Sequence, residues 1–132
     1  MREMKFRGKQ KGGGWVYGDL LHEPYGTCIQ WAGRLPNDSF SRIKAVIIPG
    51  TVGQYIGLED INGKEIYEGD IVEVKDPYPT GVRMFTGVVM FGNGSFMIKS
   101  SVGEHYRWLD YEVEVIGNVY ENPELLEEHL QA

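Results

Sequence analysis

The sequence predicts a mainly β fold: a small, strongly bent sheet or partly open barrel built from short hairpins, with a short C-terminal α-helix. Three observations carry this. The 132 residues include 18 glycines, many at turn positions between short apolar runs. Those runs are rich in branched and aromatic residues, which fit a pleated, half-buried surface. Helical spacing appears only near the C-terminus. The length is that of one domain, no linker divides the chain, and 1–132 reads as a single unit.

Residues 1–14 read as a basic arm ending in Gly12-Gly13-Gly14, a flexible hinge or a hairpin tip. Trp15 to Leu21 reads as a strand, joined through His22-Glu23-Pro24-Tyr25-Gly26 to a partner strand over Thr27 to Trp31. Ala32 to Arg42 is polar and turn-rich and reads as a mobile loop. Lys44 to Ile48 is a short branched run stopped by Pro49-Gly50. Asn62-Gly63 signals a type I′ hairpin, whose two central residues both need positive φ. Glu68-Gly69-Asp70 gives a second turn before the strand that begins Ile71-Val72-Glu73-Val74. Gly92-Asn93-Gly94 separates Gly87–Phe91 from Ser95–Ile98 as another hairpin. Tyr111 to Val115 alternates, so one face is buried and the other acidic. Asn122 as cap, Pro123 and Glu124 open a helix over 122–131.

Apolar residues at 42% and charged residues at 24% exclude a disordered chain. The longest apolar-leaning run, Ala45 to Leu58, is broken by Pro49, Gly50, Gly53 and Gly57 and cannot span a bilayer. Charged residues at the N-terminus with no apolar stretch behind them argue against a signal peptide. The single cysteine, Cys28, leaves no internal disulfide and suits a reducing compartment. The net charge of −6 is uneven. Arg2, Lys5, Arg7, Lys9 and Lys11 face only Glu3 in the first eleven residues, whereas residues 110–128 contain seven acids and no base. The acidic majority argues against nonspecific phosphate-backbone binding. A basic arm on an acidic body could pair with itself, within a chain or between subunits. Arg2, Lys5, Arg7, Trp15 and Tyr17 are therefore the candidate interaction surface.

No pattern carries catalytic chemistry, and the chain is expected not to be an enzyme. Glu68 and Asp70 flank a glycine turn, where carboxylates serve solubility and local backbone hydrogen bonds more readily than acid–base work. His22 and Cys28 lie six apart, with His105 and His129 far off in sequence, so no metal-site spacing exists. A cofactor is not expected either, since both glycine-rich stretches sit between predicted strands rather than opening a helix. The candidate structural turns are Asn62-Gly63, Glu68-Gly69-Asp70 and Gly92-Asn93-Gly94. Aromatics such as Phe85, Phe91, Phe96, Tyr106 and Trp108, with Arg83, Lys99 and Arg107, leave open a nucleic-acid-binding module that stacks single strands on a barrel face. Strand aromatics more commonly fill a core. A small metal-dependent hydrolase using Glu68, Asp70 and a histidine is a further alternative.

Several stretches carry a resemblance. They are Arg2 to Gly8, Gly14 to Leu20, Thr51 to Leu58 running on through Asp60 to Val72, and Glu114 to Leu126. Together they resemble the YopX-like family of phage and prophage proteins, with residues 22–50 and 76–86 the loosest parts. The resemblance implies a phage origin, a bacterial cytoplasmic location, a β-rich fold and a homo-oligomer. It brings no catalytic residues. The expected function is that of a phage or prophage accessory protein of unknown activity: non-enzymatic, self-associating, and binding another macromolecule, protein in preference to nucleic acid. A host or phage protein is the expected partner, with no membrane involved.

Overall fold

A computed structural model describes residues 3–76, 83–108 and 111–126. Arg2 and the final part of the expected helix, 127–131, lie outside the described residues. The chain divides into two compact units, Met1–Tyr55 and Ile56–Ala132.

The first unit is an antiparallel sheet of β1 (Phe6–Gln10), β2 (Gly13–Glu23), β3 (Gly26–Arg34) and β4 (Phe40–Val46), in the order β4-β3-β2-β1. Gly53 and Gln54, which open β5 (Gly53–Glu59), pair with the far side of β1. The basic N-terminal segment is therefore a strand held on both sides, and the glycine triplet lies at the tip of the β1–β2 hairpin rather than acting as a hinge. Strand β2 serves two neighbours: its first half pairs with β1 as far as Gly18, and its second half pairs with β3 from Asp19 onward. Cys28, Ile29 and Ile47 are buried at the centre of this unit. The expected loop over Ala32 to Arg42 is shorter than the sequence suggests. Strand β3 runs to Arg34 and β4 starts at Phe40, leaving a turn closed by Leu35 N–H donating to the Ser39 carbonyl at 2.7 Å.

In the second unit β5 continues into β6 (Glu65–Tyr67). An open five-stranded antiparallel sheet follows, formed by β7 (Asp70–Asp76), β8 (Arg83–Gly92), β9 (Ser95–Ser100), β10 (Gly103–His105) and β11 (Glu112–Asn118). Its order is β10-β9-β8-β7-β11, so it does not close into a barrel. Register explains its core. Val72 and Val74 lie opposite Val115 and Val113 on one side and opposite Gly87 and Phe85 on the other, and Val89 lies opposite Ile98. These alternate residues share one face and, with Ile56 and Ile66, form the buried cluster. Residues 124–126 are helical. Asn122 does not cap that turn with its side chain; its Oδ1 instead accepts the Asn118 N–H at 3.2 Å.

Candidate functional site

Among the described residues of the expected interaction surface, Arg7 is buried, Lys5 and Trp15 are half-buried and Tyr17 is exposed. Arg7 is only 5% exposed, and its guanidinium lies 4.8 Å from the centre of the Trp15 ring. A desolvated cation–π contact of this kind is worth about 2 kcal/mol, so these two residues serve the fold. Lys5 pairs with Glu3 at 3.5 Å and lies 5.6 Å from the Tyr55 ring centre, and Trp15 is half-buried. Tyr17, opposite Arg7 in the register, is exposed.

The three predicted turns are all present, but two of them work differently from expectation. At Asn93-Gly94 both residues have positive φ, 52° and 80°, as a type I′ hairpin requires. At Asn62-Gly63 only Gly63 does, with φ of 80°. Gly63 N–H donates to the Asp60 carbonyl and Asp60 N–H to the Lys64 carbonyl, which is a three-residue loop ending in a glycine bulge. The cause is Asp60, whose Oδ1 accepts the N–H groups of both Asn62 and Lys64 at 2.9 Å. Its Oδ2 accepts Val115 N–H at 3.0 Å. Burial pushes the Asp60 carboxyl up, but the three N–H bonds from Val115, Lys64 and Asn62 and the Lys64 charge outweigh it, so its pKa is lowered. An Asp two residues before Asn-Gly is the sequence signal for this arrangement.

The Glu68-Gly69-Asp70 turn is a structural clamp. Asp70 is 1% exposed and its Oδ2 accepts the Tyr67 N–H at 2.8 Å. Gly69 has φ of 90°, donates its N–H to the Val89 carbonyl and accepts Val119 N–H. The Tyr120 ring packs where a side chain would stand, 3.0 Å from an added Cβ. Tyr67 is thereby held at the start of β7 and Val119 at the end of β11, with Gly69 bonded to Val89 of β8. His105 stacks on Phe85 at 4.2 Å, with its Nε2 2.9 Å from Ser100 Oγ. Cys28 is buried, and among the described residues no group of three or more His, Cys, Asp or Glu could hold a metal ion. No helix of the described residues is long and apolar enough to cross a membrane.

The aromatics of residues 83–108 are divided. Phe85, Phe96 and Trp108 pack against the core cluster, and Trp108 Nε1 donates to the Phe96 carbonyl at 3.0 Å. Phe91 is exposed and meets Phe96 edge-on at 5.1 Å, while the Tyr106 hydroxyl donates to Glu104 at 2.9 Å. A continuous stacking face is thus not formed by these residues.

A small β domain has edges that must be paired or protected, but the sequence does not mark where the open edge lies. Among the described residues four strands end a sheet: β4, β6, β10 and β11. Strands β6 and β10 are three residues long, too short to template much pairing. The outer side of β11 is occupied, because Val113 accepts Ile61 N–H at 2.9 Å and Val115 N–H donates to Asp60. Strand β4 is seven residues long. Ile47 N–H donates to the Thr27 carbonyl, and antiparallel pairs alternate, so Ser41, Ile43 and Ala45 direct their N–H and C=O groups toward β3. The N–H and C=O groups of Phe40, Arg42 and Lys44 then face outward, whereas just past Val46 the outer side meets β1, where Ile47 bridges Gln10 and Ile48 N–H donates to the Lys9 carbonyl at 2.8 Å. The side chains of Phe40, Arg42, Lys44 and Val46 share one face, with Phe40 69% and Val46 50% exposed.

The family model described as YopX protein matches residues 5–127 and so runs through both units. No curated protein matches the chain. Among solved structures, the crystal structure of protein EF1440 from Enterococcus faecalis is similar, with a TM-score of 0.58 and 22% identity over 96% of this chain and 99% of that one. At that identity the likeness carries the fold alone. The match over residues 5–127 establishes that this chain belongs to the YopX family.

Proposed function

We propose that the chain is a non-enzymatic binding protein that acts through protein–protein contact, with the outer edge of β4 as its contact line. The observation carrying this is the edge itself: a seven-residue strand whose backbone groups at Phe40, Arg42 and Lys44 face outward beside the exposed Phe40 side chain, before β1 covers the end at Ile47. Such an edge can accept another strand through main-chain hydrogen bonds. The division of the aromatics between core and surface favours protein over nucleic acid as the partner. An accessory role in a bacterial cytoplasm belongs to the same proposal and rests on the phage and prophage setting that the sequence resemblance implies.

The test is capture from a nuclease-treated bacterial lysate by the wild-type chain and by Arg42→Pro. Proline removes an outward N–H and blocks strand addition without touching the pairing with β3. A protein retained at near-stoichiometric yield by wild type and lost with Arg42→Pro supports the reading. Equal retention by both, or retention of nucleic acid alone before nuclease treatment, contradicts it.

A further inference from the structure

We infer that the β4 edge receives an extended acidic segment of a different protein, added as an antiparallel strand. This deepens the reading above and rests on it. The side chains on this face run Phe40, Arg42, Lys44, Val46, which is apolar, basic, basic, apolar at two-residue spacing. Arg42 is exposed and forms no ion pair or hydrogen bond among the described residues. Lys44 Nζ donates to Glu23 Oε1 at 3.2 Å at an exposed site, so an incoming carboxylate would share it with Glu23. Arg34, opposite Phe40 on β3, places its guanidinium 5.0 Å from the centre of the Phe40 ring and pairs with Asp38 at 3.1 Å, so Arg42 is the cation of the strip that the chain's own acids leave to a partner. An incoming strand with one apolar residue and two acids at alternate positions sets these opposite Phe40, Arg42 and Lys44 in turn and ends where β1 meets Ile47.

A second copy of this chain fits the edge poorly. Antiparallel pairing of two β4 strands must set outward residues opposite outward residues. A register centred on Ile43 faces Arg42 with Lys44, while registers centred on Arg42 or Lys44 face each with itself. All of these oppose like charges at the middle of the ladder. The chain does own an alternating acidic strand, with Glu112 and Glu114 on β11, but its outer side is already taken by Ile61 and Asp60. The acidic segment therefore comes from another protein.

The test uses a fluorescent seven-residue peptide with phenylalanine or valine at its ends, glutamate at its third and fifth positions and threonine between. A second peptide carries lysine at those two positions, and binding is read by anisotropy on the full chain. The expected result is about tenfold tighter binding of the glutamate peptide, from two cross-strand pairs changing sign. Arg42→Glu should erase that preference, and Arg42→Pro should abolish binding of either peptide. Equal binding of both peptides that Arg42→Pro abolishes overturns the acidic partner and leaves the edge reading standing. Glutamate preference that survives Arg42→Pro, or no binding of either peptide, overturns the inference. A circular-dichroism melt of each variant identifies any that has lost its fold, and Lys44→Glu then replaces Arg42→Glu.

Discussion

Strands β4 and β11 are each seven residues long, each ends a sheet, and each carries two like charges at alternate positions. Their outer sides differ. On β11, Ile61 and Asp60 satisfy Val113 C=O and Val115 N–H, so a turn distant in sequence covers the strand's flank. On β4 the outer side meets β1 only past the C-terminal end, at Ile47 and Ile48, and the stretch from Phe40 to Lys44 is guarded by the charge of Arg42 and Lys44. Composition therefore does not decide whether an edge is open. One carboxylate, placed by a glycine bulge, decides it for β11.

The largest effect that breaks this contrast is Asp60→Ala. Three backbone N–H groups lose an ionised acceptor, so stability should fall by about 4 kcal/mol, read as a lower urea midpoint, and the exposed flank of β11 should promote association of the variant. The same carboxyl gives a pH dependence. Its pKa in the folded chain lies below the ordinary value of 3.8. Its contribution is therefore present above the unfolded value and is lost as pH falls through the lower folded one. Wild type should lose more stability than Asp60→Asn between neutral pH and the acid range.

On β4, Ile43→Pro removes an N–H directed at β3 and should cost about 3 kcal/mol. Gly69→Ala forces a side chain into left-handed backbone against the Tyr120 ring and should cost about 2 kcal/mol, loosening β11 from its inner side. Arg42→Pro, one residue from Ile43, removes an N–H that faces outward and should cost under about 1 kcal/mol. Thermal melts of these variants rank them. Equal losses for the two proline variants would mean that Arg42 N–H is already bonded.

Much of the fold was legible in the sequence because turn chemistry is local. Asn93-Gly94 specifies its own hairpin through two positive φ angles. Asn62-Gly63 reads the same way but behaves otherwise, because Asp60 bonds both Asn62 and Lys64 and draws the loop one residue longer. The basic N-terminus looked like an arm because charge suggests solvent, yet Arg7 is buried over Trp15, an arrangement that needs the neighbouring strand in place. The start of β4 was hidden for the converse reason. Phe40, Ser41 and Arg42 are all exposed, so no alternation of buried and solvated residues marked them as a strand. The candidate edge was thus the least visible part of the chain, while the Glu68-Gly69-Asp70 turn was visible in position but not in its reach to Val89 and Val119.

Amide hydrogen exchange, resolved residue by residue by NMR, tests the contrast most directly. Fast exchange is expected at Phe40, Arg42 and Lys44, slow exchange at Ser41, Ile43 and Ala45, and a protected amide at Val115 that Asp60→Ala releases. Uniform protection along β4, or a Val115 amide that exchanges as fast as that of Arg42, would contradict it.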